Sequence, residues 1–210
     1  MDHAQRRAQL ADAAIRLMVR DGLDAVTVRG VAAEAGWSTG SLRHYFADQR
    51  ELQQHSVRAA TDALRSRVLP RVQRPRSSPS AVERIALIVE ELLPLDAARR
   101  EEYALWAAIT EYERRHRPTE GSRTWQDQRA LYRQCIALLR SHETVADPDR
   151  AASRHPDSEV EAWAALLHTF VDGLASQIVD TPGQMPPETA RSLLRFFLRS
   201  VPDGTDSSRP

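Results

Sequence analysis

The 210-residue sequence predicts an all-α fold of about nine helices, with a small N-terminal head and a larger helical C-terminal domain. Three observations carry this prediction. Apolar residues recur at i, i+3, i+4 and i+7 along most of the chain, the spacing of amphipathic helices. Gly, Pro and capping residues interrupt the pattern at intervals of one helix length. No segment alternates apolar and polar residues as a half-buried strand would, and no internal repeat is visible.

The elements follow in order. Leu10, Ala14, Leu17 and Met18 form the stripe of a first helix, which Gly22 stops. Thr27 is an N-cap for a short helix carrying Val31, Ala32 and Ala35, closed by Gly36. Ser38 caps a second short helix with Leu42 and Tyr45 on its inner side. Asp48, with Glu51 three residues on, forms a capping box for a longer helix expected to end near Leu69, at Pro70. Residues 70–80, PRVQRPRSSPS, read as a domain junction. Beyond it, Ile85, Ile88, Val89 and Leu92 form a stripe ending at Pro94, and a helix is expected from Ala97 to His116. Leu131, Leu138 and Leu139 mark another, and residues 144–157 read as a loop. Two further helices carry Trp163 to Ile178 and, after Pro187 in a favoured first-turn position, Leu193 to Val201. The expected layout is a head over 1–48, a connecting helix over 49–72, a C-terminal domain over 80–201 and a disordered tail over 202–210.

Composition narrows the function. Hydrophobic residues make up 41% of the chain, too many for disorder. No run of about 18 apolar residues is present, so no membrane span is expected. The N-terminus shows no targeting segment, and the expectation is a cytoplasmic protein. The chain holds 29 basic and 29 acidic residues, every basic one an Arg. Residues 1–72 carry 11 Arg against 8 acidic side chains, a net +3, and the remainder is net −3. The mildly basic head points to an anionic partner. Cys135 is the sole cysteine, which forbids an intramolecular disulfide and suggests a buried thiol. The seven His show no metal-ligand spacing, and no nucleophile elbow, P-loop or dinucleotide fingerprint appears. No cofactor and no enzymatic activity are expected, with an enzyme in a helical bundle as the weaker rival.

The informative stretch is residues 27–52, TVRGVAAEAGWSTGSLRHYFADQREL. Two short helices joined by a tight turn make a helix-turn-helix. Ala32 is small where the helices cross, and Gly36 is able to take the positive φ that ends the first of them. The second helix then enters the major groove of double-stranded DNA with its N-terminal residues facing base edges. Ser38, Thr39, Gly40 and Ser41 are small enough for close approach. Arg43 is a candidate for a bidentate guanine contact, and His44 and Tyr45 are candidates for phosphates or bases.

These residues resemble the signature of the TetR family of transcriptional regulators. The resemblance rests on Thr27-Val28-Arg29, Ala35-Gly36, Ser38-Thr39-Gly40, Tyr45-Phe46 and Leu52, and spans residues 10–55. It implies an all-helical homodimer with a three-helix DNA-binding head. By that resemblance Thr27 and Arg29 touch phosphate or base, Ser38, Thr39 and Ser41 line the groove, and Tyr45 contacts the backbone; Trp37 joins the candidates. The chain departs from the pattern in having Arg43 where an aromatic is common and Gln49 where a phosphate-binding Lys is common. Arg50 is the candidate replacement for that charge. More loosely, Glu90-Glu91-Leu92-Leu93-Pro94-Leu95-Asp96 and Val171-Asp172-Gly173-Leu174-Ala175 are similar to the choline-responsive repressors of the family.

Two further sites are expected in the C-terminal part. Tyr103, Trp106, Ile109, Tyr112, Trp125 and Tyr132 are candidates to line a small-molecule effector pocket, with Glu111 near enough to suggest a caged cation. Trp163, Leu167, Phe170, Val171, Gly173 and Leu174, with Leu193 and Phe197, are candidates for a dimer interface, because their apolar faces exceed one narrow stripe. The expectation is a repressor released from a palindromic operator by an effector; an activator or a ligand-independent regulator is the alternative.

Overall fold

The computed structural model describes residues 3–74, 80–116, 122–141 and 155–204. Among them are nine helices and no strand: α1 (His3–Asp21), α2 (Val28–Ala35), α3 (Thr39–Arg43), α4 (Gln49–Val72), α5 (Ala81–Val89), α6 (Ala97–His116), α7 (Arg123–Ser141), α8 (Ser158–Asp180) and α9 (Pro187–Arg199). The all-α expectation holds. Most of the expected 144–157 loop, and the tail from 205, lie outside the described residues. None of the described helices is long and apolar enough to cross a membrane.

The chain divides into two compact units. One comprises Met1–Leu69 with Glu101–Ser122, the other Pro70–Arg100 with Arg123–Pro210. In the first unit the predicted stripe of α1 is buried: Leu10, Ala14, Leu17 and Met18 pack with Val31, Ala32, Leu42, Phe46 and Leu52. Burying each large side chain contributes about 1.5–3 kcal/mol. Leu105, Ala108 and Ile109 of α6 belong to the same cluster, so a helix late in the chain completes the core of the N-terminal head.

Pro70 does not stop α4, which runs on to Val72 with the proline inside its last turn. A proline removes one N–H and crowds the carbonyl four residues earlier. So close to a helix end, that costs a single ladder bond, and the exposed ring meets solvent.

In the second unit, α7 and α8 bury Tyr132, Cys135 and Ile136 with Ala164, Leu167, Val171 and Leu174, and α5 and α9 bury Ile85, Val89, Leu194 and Leu198. An ion network joins α5 to α9. Arg195 reaches Glu83 at 2.6 Å and Glu90 at 2.6 Å, and Arg191 reaches Glu90 at 3.2 Å. Burial pushes the Cys135 thiol up to about 12, so it is not a thiolate at neutral pH and is unreactive.

Candidate DNA interface and effector site

The helix-turn-helix is built as its capping residues dictate. The Thr27 hydroxyl accepts the Gly30 N–H at 2.9 Å, and the Ser38 hydroxyl accepts the Ser41 N–H at 3.0 Å. Each cap is worth about 1 kcal/mol. Gly36 sits at φ 70°, and the chain closes α2 in a Schellman motif: Gly36 N–H donates to the Ala33 carbonyl and Trp37 N–H to the Ala32 carbonyl. Asp48 accepts the Glu51 N–H at 2.7 Å, while the Glu51 carboxylate turns back to the Ala47 N–H at 2.8 Å. The capping box therefore closes one residue earlier than the simple pattern. Sequence reasoning missed Gly30. A Cβ there would lie 2.6 Å from the Ala25 carbonyl oxygen, so only glycine lets α2 approach the preceding turn.

The side chains expected at DNA fall into two groups. Arg29, Ser38, Thr39, Gly40, Ser41, Arg43, His44 and Arg50 are exposed. Arg29, Arg43 and Arg50 pair with no described acidic residue, so their charges face solvent uncompensated. Ser38 and Ser41 bond each other at 2.8 Å. Thr27, Trp37 and Tyr45 are half-buried, and the Trp37 and Tyr45 rings meet edge to face at 5.6 Å. Nearby anionic charge is already engaged. The Ala47 N–H, with Arg7 beside it, holds the Glu51 carboxyl below its usual range. Arg16 and Arg20 do the same for Glu34. What remains is a slim, hydroxyl-bearing, cationic ridge, which suits insertion between phosphate walls.

The first turn of α1 also reaches this ridge. Arg6 Nη1 donates to the Tyr45 hydroxyl at 3.0 Å, and Arg7 Nη1 donates to the Tyr45 carbonyl at 2.8 Å. A separation of 39 and 38 residues hid both contacts from any local reading of the sequence.

The six expected effector residues are divided between the units. Tyr103 and Trp106 stack on α6 with ring centres 5.9 Å apart, Ile109 is buried in the first unit's core, and Tyr112 stacks on His116. Glu111 does not offer a free anion for a cation cage, because Arg114 and Arg115 both hold it. The structure brings Trp125 and Tyr132 together in the second unit, around His168, a residue the sequence reading passed over. His168 is buried, stacks on Trp125 at 4.2 Å and meets the Tyr132 edge at 5.0 Å. Among the described residues neither of its ring nitrogens has a hydrogen-bond partner, and the Asp172 carboxylate stands 3.6 Å away.

The expected dimer residues separate in the same manner. Leu167, Val171 and Leu174 are buried in the second unit's own core and present no surface to a partner. Phe170 stacks on Phe197 at 4.7 Å, and Trp163 meets Phe197 at 6.1 Å. Gly173 and Leu193 are exposed. Leu166 at 51% and Phe196 at 72% are the large apolar side chains most open to solvent on α8 and α9. A helix of period 3.6 puts Leu166 on the face opposite the buried set.

Burial shifts the pair in α8 in opposite directions. It pushes the Asp172 carboxyl up to about 6 and His168 down to about 4. A carboxyl raised above its unfolded value of 3.8 favours folding while protonated, and that contribution is lost as pH rises through about 6. Asp172→Asn, which stays neutral and still accepts from Trp125, is expected to melt like wild type near pH 4 and above it at pH 8. Thermal melts over that range check this; a constant difference across the range contradicts it.

Comparison with known proteins finds relatives over nearly the whole chain. The family described as "Bacterial regulatory proteins, tetR family" matches residues 10–55, and "BetI-type transcriptional repressor, C-terminal" matches residues 81–202. The HTH-type transcriptional regulator BetI of Escherichia coli (strain K12 / DH10B) is 35% identical over 198 residues, covering 92% of this chain and 92% of that protein. A transcriptional regulator from Rhodococcus sp. Rha1 superposes with a TM-score of 0.63 at 25% identity, covering 93% of this chain and 95% of that one. A regulator from Saccharomonospora viridis, solved in complex with choline, has the same fold, with a TM-score of 0.59 at 20% identity over 94% of this chain and 97% of its own. The exposed α3, the capped helix-turn-helix and these matches converge: the chain belongs to the TetR family of DNA-binding transcriptional regulators, with a BetI-type C-terminal part.

Proposed function

We propose that this regulator is a repressor that holds a palindromic operator as a homodimer and lets go when a small effector binds its C-terminal part. The observation that carries the reading is the solvent-facing ridge of α3, where Gly40 and the hydroxyls permit close approach and Arg43 has no partner among the described residues. Two half-sites about 34 Å apart demand two reading helices. The exposed Leu166, Gly173, Leu193 and Phe196 on α8 and α9 supply the surface for a second copy. Trp125, Tyr132 and His168 supply an aromatic, hydrogen-bonding lining for an effector. Release requires that the effector prefer a conformation unsuited to the operator.

Selection of bound duplexes from a random pool tests the reading, and a palindromic product is the expected result. Against that duplex, Arg43→Ala is expected to cost about 1–3 kcal/mol and to relax preference at one base position. Gly40→Ala separates contact from folding. Its new Cβ would meet only the Ser38 hydroxyl at 3.8 Å, so the melting temperature holds while DNA affinity falls. Equal binding by wild type and both variants would sink the assignment of α3. A reporter that rises on deleting the gene distinguishes repressor from activator.

A further inference from the structure

We propose that Arg6 joins Tyr45, the backbone contact the family resemblance implies, in a two-point clamp for a DNA phosphate at the C-terminal end of α3, and that Arg7 is the positioning residue that holds the clamp in place. This inference rests on the reading of α3 as the helix that enters the groove.

The chemistry follows from who donates to whom. Arg6 is exposed, and its Nη1 donates to the Tyr45 hydroxyl at 3.0 Å. The Tyr45 oxygen thus acts as acceptor, which leaves its own O–H hydrogen to donate outward. A phenol that accepts from a cation is a stronger donor, because the two bonds polarise each other. Arg6 keeps further N–H groups and its full charge. The pair therefore presents donors and one positive charge at a single point, which matches a phosphodiester oxygen and reads no sequence.

The clamp is also rigid. The Tyr45 ring packs against the His3 ring at 4.8 Å and the Trp37 ring at 5.6 Å, and the Arg6 guanidinium sits 5.8 Å from the Trp37 centre. Side chains already fixed in the bound geometry lose less freedom on binding.

Arg7, next in sequence, is spent differently. It donates to the Tyr45 carbonyl at 2.8 Å, pairs with Glu51 at 3.3 Å and lies 4.4 Å from the Phe46 centre. The Tyr45 carbonyl follows the last turn of α3, where helix carbonyls lack intrahelical partners. Glu51 belongs to the first turn of α4. One guanidinium thus ties α1, the end of α3 and the start of α4 together. Two adjacent arginines, about 100° apart around a helix, take separate roles: Arg6 faces the ligand and Arg7 faces the fold.

The test uses the full chain, a palindromic duplex selected from a random pool and a scrambled duplex of equal length, with affinities measured over a salt series. Arg6→Ala is expected to weaken both duplexes by a similar factor, roughly 3–10-fold, and to reduce the salt slope by about 0.9, with the melting temperature unchanged. Tyr45→Phe is expected to weaken both as well, and the double variant to lose less than the sum of the two. Arg7→Ala is expected to weaken the selected duplex more than the scrambled one, because a loosened α3 discriminates less, while its salt slope stays near wild type. Arg43→Ala, measured alongside, reports on α3 itself. If Arg43→Ala weakens binding and Arg6→Ala changes neither affinity nor slope, the clamp is wrong and α3 stands. If Arg43→Ala and Gly40→Ala both bind like wild type, the groove-entering role of α3 fails, whatever Arg6 does. Equal losses on both duplexes for Arg7→Ala, with a reduced slope, would make Arg7 a phosphate contact and overturn its positioning role.

Discussion

Gly30→Ala is expected to destabilise the N-terminal unit by about 2–3 kcal/mol and to abolish tight DNA binding. Two effects oppose each other at this position. Alanine is the better helix former by about 1 kcal/mol, so a glycine merely tolerated in α2 would give a more stable protein when replaced. Against this, the added methyl would stand 2.6 Å from the Ala25 carbonyl oxygen, 3.1 Å from the Thr27 hydroxyl and 3.6 Å from a Leu17 methyl. The Ala25 carbonyl is not free to move, because it accepts the Thr27 N–H at 2.8 Å. Relief requires α2 to shift away from α1, and α3 rides on α2. The clash is backbone, cannot be relaxed by a rotamer change, and outweighs the propensity gain. Chemical denaturation and operator binding check this together; a raised melting temperature with normal binding would show that the close approach is not required.

Arg195→Ala is expected to cost the second unit about 1–2 kcal/mol at neutral pH, between the worth of an exposed ion pair and the cost of breaking a buried one. The loss is limited because Arg191 remains beside Glu90 at 3.2 Å. It exceeds the worth of a surface pair because Glu90 is only 10% exposed, while Glu83, at 37%, is screened by solvent and adds less although Arg195 holds its carboxyl below its usual range. The pH dependence gives the mechanism. A depressed carboxyl stabilises the fold above its unfolded value of 4.5, and that stability disappears as pH falls through the folded value. The gap between wild type and Arg195→Ala is therefore widest near pH 7 and narrows below about pH 4.5. Urea unfolding at pH 7 and pH 4 measures it. A gap independent of pH would mean that Arg195 contributes through packing of its stem alone.

The sequence by itself determined the local structure of the head. Thr27, Gly36, Ser38, Asp48 and Glu51 act within four residues of their own position, so their caps and turns were readable from spacing, and the exposed residues of α3 with them. The stripes of α1 and α5 were readable for the same reason, because helix periodicity is a property of neighbours. Pro70 misled because its identity says nothing about how near a helix end it stands. Tertiary structure alone decided which faces are covered and by what. It placed Leu105 and Ile109 in the head's core, hid Leu167, Val171 and Leu174 and left Leu166 and Phe196 open. It set the Ala25 carbonyl where Gly30 needs no side chain, gathered Trp125, Tyr132 and His168, and gave Arg6 and Arg7 their separate partners on Tyr45. Such pairings join residues from 5 to about 100 positions apart across space rather than along a helix. Their energies come from close packing and from burial of charge, neither of which leaves a periodic trace in the chain.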